Sequence, residues 1–172
     1  MIDLKKYIET YPGFPKPGIL FYDISSLMAD SNIWQETINQ FSSLVKKYNP
    51  EVLAGIESRG FIFASTIAYK LGCDVIMIRK KGKLPGKTIH HSYKLEYGTD
   101  CLEIQKRETL KNKNVVLIDD LLATGGTAGA AIELLQKTEA KVSVFLTLIE
   151  LTNLKGRKKI KVKTDSLLCF DE

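Results

Sequence analysis

The sequence predicts an α/β protein: a mostly parallel sheet with helices on both faces, plus a small N-terminal hood and a flexible loop. Three observations carry that expectation. Short apolar runs at 52–56, 74–79, 114–119 and 141–149 alternate with stretches of helical period, the signature of two strand–helix–strand units. Turn residues follow the first strand of each unit, as an open parallel sheet requires. And 172 residues, 44% of them hydrophobic, are enough for one core without disulfide staples. A single domain over 1–172 is expected, with 1–30 as the hood and 88–111 as the loop.

Each element has its own local reason. The first 30 residues hold a short helix and then Pro12-Gly13-Phe14-Pro15-Lys16-Pro17-Gly18, a stiff, extended segment. Between 31 and 48, Ile33, Trp34, Ile38, Phe41, Leu44, Val45 and Tyr48 fall on one helical stripe, with Asp30 or Ser31 available as N-cap. The run 52–56 reads as a buried strand that breaks at Glu57-Ser58-Arg59-Gly60. A helix follows over 61–71, and Gly72 closes it. Strand 74–79 completes the first unit. The polar stretch 88–111 has strand-like patches but lacks a sustained apolar stripe. Connections of that length are usually lids or binding loops. Strand 114–119, a loop to Gly126, helix 127–137 and strand 141–149 form the second unit.

The formal net charge is +5, and it is not spread evenly. Between 79 and 94 stand Arg79, Lys80, Lys81, Lys83, Lys87 and Lys94 with no acidic residue, which leaves the rest of the chain nearly neutral. Gly82, Pro85 and Gly86 mark this segment as a loop at the C-terminal end of a strand, where open α/β sheets bind ligands. A second cluster, Lys155, Arg157, Lys158, Lys159, Lys161 and Lys163, is followed by Asp165, Asp171 and Glu172 and reads as a solvated face. Cys73, Cys101 and Cys169 are too few and too scattered for a disulfide framework or a zinc site. No apolar run approaches the roughly 18–20 residues of a membrane span, and the start lacks the apolar core of a secretory signal. A cytoplasmic protein with no membrane partner is expected.

The chemistry concentrates at Val115-Val116-Leu117-Ile118-Asp119-Asp120-Leu121-Leu122-Ala123-Thr124-Gly125-Gly126-Thr127. A buried strand ends in two adjacent carboxylates and is followed by a small-residue turn that opens a helix. The turn offers backbone N–H groups and two threonine hydroxyls to a phosphate. Carboxylates there would repel an anion, unless the ligand also carries vicinal hydroxyls that donate to them. A ribose 5-phosphate meets both demands. Gly125-Gly126 and Gly129 do not supply the G-x-G-x-x-G spacing of a dinucleotide site. Gly82-Lys83-Leu84-Pro85-Gly86-Lys87-Thr88 imitates a nucleotide-triphosphate loop but is one residue short, with Lys81 where the first glycine is needed. No apolar helix follows it. His90 and His91 are adjacent rather than at metal-ligand spacing. Trp34 and Phe41 read as packing, and Cys73 as a buried thiol.

Residues 115–127 resemble the phosphoribosyl pyrophosphate signature of the type I phosphoribosyltransferases. Four further segments resemble the adenine-specific branch of that family: Phe14-Pro15-Lys16-Pro17-Gly18-Ile19-Leu20-Phe21-Tyr22-Asp23-Ile24, Gly55-Ile56-Glu57-Ser58-Arg59-Gly60-Phe61, Arg79-Lys80-Lys81-Gly82-Lys83-Leu84-Pro85-Gly86, and Leu95-Glu96-Tyr97-Gly98-Thr99. The resemblance implies an enzyme that converts adenine and phosphoribosyl pyrophosphate to AMP and pyrophosphate. It implies that Asp119 and Asp120 hold the ribose hydroxyls and that Ala123, Thr124, Gly125, Gly126 and Thr127 wrap the 5′-phosphate. Glu57, Ser58 and Arg59 would form the pyrophosphate loop, where the family tends to have a cis peptide that does not involve proline. Arg79, Lys80 and Lys83 would meet the pyrophosphate, within one subunit or from its neighbour, since the family is commonly dimeric. Leu20, Phe21 and Tyr22 would form the adenine edge, with Phe21 and Leu121 sandwiching the ring.

Glu96 and Tyr97 would sit on the closing loop, Tyr97 toward the pyrophosphate and Glu96 exchanging a proton with the purine. Glu96 and Arg59 are the catalytic candidates. Mg²⁺ would be held mainly by substrate oxygens, and no residue is assigned to a protein metal cage. The sequence departs from the family at Tyr22, where arginine is frequent; Glu57 and Ala64 vary among relatives. Two other readings compete: a phosphoribosyltransferase for another purine, and a non-catalytic regulator that senses phosphoribosyl pyrophosphate and binds nucleic acid through 155–163. With little room for a DNA-binding domain, no nucleic-acid partner is expected.

Overall fold

The computed structural model describes residues 2–95 and 98–171. By its internal contacts the chain divides into two units, residues 1–41 and 42–172.

In the first unit, Asp3 caps a 3₁₀ turn, Leu4–Tyr7, by accepting from the Lys5 N–H at 3.2 Å. Strands β1 (Glu9–Pro12) and β2 (Leu20–Asp23) pair antiparallel from Glu9↔Asp23 to Pro12↔Leu20. The stiff proline-rich segment is therefore the loop of a hairpin. It contains a cis Phe14–Pro15 bond, and the Gly13 N–H donates to the Ile19 carbonyl at 2.7 Å. Helix α1 (Ser25–Ala29) follows, then α2 (Ser31–Lys46), which runs through the division between the units. Of the two candidate caps for α2, the structure uses Asp30, whose carboxylate accepts from the N–H groups of Asn32 (2.8 Å) and Ile33 (3.2 Å). On the predicted stripe Ile33, Ile38, Phe41, Leu44 and Val45 are buried, and Trp34 is half-buried.

The second unit holds β3 (Val52–Ile56), α3 (Arg59–Leu71), β4 (Asp74–Lys80), β5 (Thr88–Leu95), β6 (Gly98–Gln105), β7 (Asn114–Leu122), α4 (Gly126–Gln136), β8 (Lys141–Leu151) and β9 (Lys163–Phe170). Its sheet, among the described residues, has the order β5-β6-β4-β3-β7-β8-β9. From β4 to β9 all pairs are parallel. Val52, Ala54 and Ile56 join Val115, Leu117 and the α4 residues Ala128, Ala131 and Leu135 in one apolar cluster. Gly55 faces the other way, against α3, where an added Cβ would lie 2.9 Å from that of Ala64. Alternate residues of the strand thus feed two cores, and helices cover both faces as the pattern predicts.

Two features differ from the expectation. Residues 88–95 and 98–105 are not irregular: β5 and β6 form an antiparallel ribbon that joins the sheet through Arg79↔Glu103 and Lys80↔Leu102. The C-terminal segment, read as a charged face, includes β9, which extends the sheet beyond β8. Strands β4, β7 and β8 also run one to three residues beyond their predicted ends, and β7 carries both aspartates.

Candidate active site

Strands β3 and β7 lie side by side and parallel, with Gly55 opposite Ile118. The turns that leave their C-terminal ends are therefore neighbours, although 62 residues separate Glu57 from Asp119 in the chain. Together they line a cleft of about 250 Å³ made by Glu57, Ser58, Arg59 and the stretch from Asp119 to Ala128. The structure thus brings three of the proposed pyrophosphate residues together with every proposed ribose and phosphate residue. Leu121 lines the same cleft.

The first turn is shaped by close packing. The Glu57–Ser58 peptide is cis, as the family resemblance implies, and Arg59 begins α3. At Gly60 an added Cβ would stand 2.8 Å from the Ile118 carbonyl and 3.0 Å from Asp119 Oδ1, so only glycine lets α3 start this close to β7. That approach puts Arg59 Nε 2.9 Å from Asp120 Oδ2.

Asp120 is 5% exposed, and its own N–H donates to Asp119 Oδ1 at 2.9 Å. Burial raises the pKa of both carboxyls. The Arg59 guanidinium opposes the rise at Asp120, whereas at Asp119 the neighbouring Asp120 charge adds to it, and Asp119 stands well above the usual carboxylate range. A pair held this way gains from any ligand that donates hydroxyl hydrogens to it.

The second turn is built for an anion. Gly125 takes the left-handed conformation (φ 78°, ψ 0°) and no side chain caps α4. The first-turn N–H groups have no intrahelical acceptor and carry the positive end of the helix dipole. At Gly126 an added Cβ would meet nothing within 4 Å, so the approach to these donors is open. Tyr93, from the β5 ribbon, places its hydroxyl 3.3 Å from Thr127 Oγ1.

Cations arrive from β4 and the loop after it. Arg79 Nε lies 3.3 Å from Glu57 Oε2, the Lys80 N–H donates to the same oxygen at 2.9 Å, and Lys83 Nζ pairs with Glu57 Oε1. Burial works to raise the Glu57 pKa, but Lys83, the Lys80 N–H and Arg79 outweigh it and hold the carboxyl at about 2. Glu103, 3% exposed on β6, fixes the loop backbone by accepting from the N–H groups of Lys83 and Leu84, each at 2.8 Å. The Lys80 ammonium turns instead to Asp100, 3.2 Å away.

Leu20, Phe21 and Tyr22 lie on β2 of the first unit. There Phe21 meets Phe14 edge to face with ring centres 5.0 Å apart, and Tyr22 is 3% exposed. Glu96 and Tyr97 lie outside the described residues. Sequence reasoning missed Tyr93 and Glu103. Glu103 left a signal, a lone carboxylate in the apolar run Leu102-Glu103-Ile104; Tyr93 left none. His91 pairs with Glu133 at 3.0 Å, and no group of metal-ligating side chains occurs among the described residues. No described helix is long and apolar enough to cross a membrane.

Comparison with known proteins agrees with this geometry. Residues 25–170 match the family model of the phosphoribosyl transferase domain. The adenine phosphoribosyltransferase of Rhodospirillum rubrum is 54% identical over 170 residues, 99% of either chain. The crystal structure of the Saccharomyces cerevisiae adenine phosphoribosyltransferase, complexed with adenine and an imino-altritol bisphosphate, is similar with a TM-score of 0.92 and 39% identity over 96% of both chains. The Trypanosoma brucei adenine phosphoribosyl transferase, in complex with AMP, pyrophosphate and ribose-5-phosphate, gives 0.86 at 25% identity over 96% of this chain and 77% of that one. With the cleft, the sheet order and these likenesses in agreement, the chain belongs to the phosphoribosyltransferase family, alongside the adenine phosphoribosyltransferases.

Proposed function

We propose that this chain transfers the 5-phosphoribosyl group of phosphoribosyl pyrophosphate to adenine, giving AMP and pyrophosphate. The observation that carries the reading is the cleft itself. Two adjacent carboxylates, Asp120 buried and Asp119 half-buried, stand at one end of a turn whose other end is an uncapped helix start. Asp119 and Asp120 bind the ribose hydroxyls, and the N–H groups and hydroxyls from Ala123 to Thr127 bind the 5′-phosphate.

Leaving of pyrophosphate puts positive charge on the ribose ring and negative charge on the departing group, so catalysis is chiefly electrostatic placement. The carboxylates favour the cationic ring. Arg59, Arg79 and Lys83 attract the pyrophosphate, and Ser58 and Tyr97 complete its surroundings. The Lys80 side chain, drawn to Asp100, contributes from further off. Magnesium held mainly by substrate oxygens would supply further positive charge to the leaving group, and no side chain of the cleft is assigned to it as a cage. Leu20, Phe21, Tyr22 and Leu121 bind the base. The burial of Tyr22 supports recognition there through backbone groups, which makes its departure from arginine tolerable. Glu96 exchanges the proton of the purine, on the loop within 88–111 that closes over the reaction.

The working unit is a homodimer in the cytoplasm. Its support is exposed apolar surface on the second unit, where Val75 (48% exposed) and Met77 (47%) line a groove with Phe61, Ile76 and Ile104. Against the regulator reading, three of the six basic residues at 155–163 are engaged within the chain, Arg157 with Glu150, Lys161 with Glu133 and Lys163 with the Tyr48 ring. The deciding assay is AMP formation from adenine and phosphoribosyl pyrophosphate, with and without Mg²⁺. Faster turnover of hypoxanthine than of adenine would overturn the base assignment.

A further inference from the structure

The basic cluster at 155–163 has a place in the structure that its charge does not announce. Its turn, Gly156–Lys159, lies directly behind the loop from Ala123 to Thr127. A Cβ on Gly125 would run into the Gly156 carbonyl, and a Cβ on Gly156 would run into the Ala123 carbonyl. The two glycines are interlocked backbone to backbone. Further along, the Lys159 carbonyl would sit 3.3 Å from a Cβ on Gly129, in the second turn of α4. Whatever holds this turn in place also sets the height of the loop above it.

What holds it is Arg157. Its guanidinium grips Glu150 with two parallel bonds of 2.5 Å, donates to the Thr164 carbonyl at 2.6 Å and reaches Ser166 Oγ at 3.1 Å. Glu150 is 4% exposed and stands on β8 directly opposite Leu122, the last residue of β7 before the loop. Ser166 on β9 donates to the same carboxylate. The anchor, the turn and the loop therefore form one closed chain of contacts: Leu122 to Glu150 across the sheet, Glu150 to Arg157 by the ion pair, and Gly156 back to Ala123 and Gly125. A bidentate fork fixes angle as well as distance, which a lysine cannot do.

We propose that Arg157 is a positioning residue for binding of the phosphoribosyl group: through Glu150 it holds Gly156 as the floor of the loop Ala123–Thr127. The inference rests on the reading of that loop as the 5′-phosphate site. The test is steady-state kinetics of the full chain with phosphoribosyl pyrophosphate and adenine varied separately. Arg157→Gln raises KM for phosphoribosyl pyrophosphate about tenfold and leaves KM for adenine within about twofold, because the loop is displaced while its donors remain. Arg157→Lys, which keeps the charge and guards against misfolding of the first variant, falls between parent and Arg157→Gln. Thr124→Ala serves as the control for the loop itself. If Thr124→Ala raises that KM and either Arg157 variant lowers only the melting temperature, with parental KM, the positioning role is overturned and the phosphate reading stands. If Thr124→Ala leaves KM unchanged, the phosphate reading fails and the proposal falls with it.

Discussion

Glu57 and Asp119 occupy like positions, just past β3 and at the carboxyl end of β7, yet their environments drive them in opposite directions. Glu57 is surrounded by donors, and its carboxyl is held at about 2. Asp119 has a second carboxylate for a neighbour and is pushed well above the usual range. Burial opposes ionisation at both sites and is the largest cause of the rise at Asp119; the neighbours then part the two, because cations and an N–H outweigh it at Glu57 whereas the Asp120 charge adds to it at Asp119. The first acid is satisfied by the protein and organises cations. The second has the Asp120 N–H as a donor but no cation close enough to outweigh its burial, and a hydroxyl-bearing ligand adds donors to it.

Substitution within the Asp119–Asp120 pair has the largest expected effect. Asp120→Asn lowers kcat/KM by about 10²–10³-fold, because it removes charge beside the developing cation and weakens the Arg59 ion pair; a loss under tenfold would break the assignment of the pair. Asp119→Asn is comparably inactive, but it melts higher at pH 7, by about 2–4 °C for each kcal/mol relieved. The sign follows from the raised pKa. The folded protein holds the Asp119 proton more tightly than the unfolded chain does, so stability falls as pH rises from the ordinary carboxylate range toward the folded value. Asparagine escapes that loss, and its advantage disappears near pH 4. A melting temperature for Asp119→Asn below that of the parent at pH 7 contradicts the comparison.

Glu57→Gln has the opposite signature and a smaller effect on activity. It releases Arg79 and Lys83 from their common anchor, and KM for phosphoribosyl pyrophosphate rises about three- to tenfold. Because the Glu57 pKa is depressed, its stabilisation is present above the ordinary carboxylate range and fades as pH falls from about 4.5 to about 2. The variant therefore melts below the parent at pH 7, and the gap narrows on acidification. On acidification the melting temperatures of the two variants should approach the parent from opposite sides; offsets of the same sign would mean that the two acids do not differ as described.

How much of this was legible beforehand follows from what a linear pattern can encode. Strand 52–56 and the carboxylate–turn–helix motif at 119–127 were plain, because burial and turn chemistry are local. The ribbon of β5 and β6 was hidden because an edge ribbon with polar residues such as His90, Ser92 and Asp100 carries no apolar stripe. Strand β9 was hidden by its charged and hydroxylated first half, Lys163-Thr164-Asp165-Ser166. The partners of charges were not legible at all. Nothing near Arg157 in the chain names Glu150 as its seat, and nothing near Gly156 names Gly125. Ion pairs and close approaches depend on the fold, whereas hydrophobic period precedes it.

The smallest expected effect concerns Tyr93, which touches the anion-binding turn from outside it. Its hydroxyl is 3.3 Å from Thr127 Oγ1, a long contact, and burial raises its pKa, so it remains a neutral phenol at physiological pH. Thr127 can rotate its hydroxyl toward a phosphate oxygen and let the tyrosine go. Tyr93→Phe keeps the ring that packs against the α4 core and loses the hydroxyl's contacts with Thr127 and Asp100. KM for phosphoribosyl pyrophosphate then changes by no more than about twofold, as expected for one neutral hydrogen bond that the ligand replaces. A loss as large as that of Glu57→Gln would mean that Tyr93 meets the ligand itself, and that the ribbon belongs to the anion site rather than beside it.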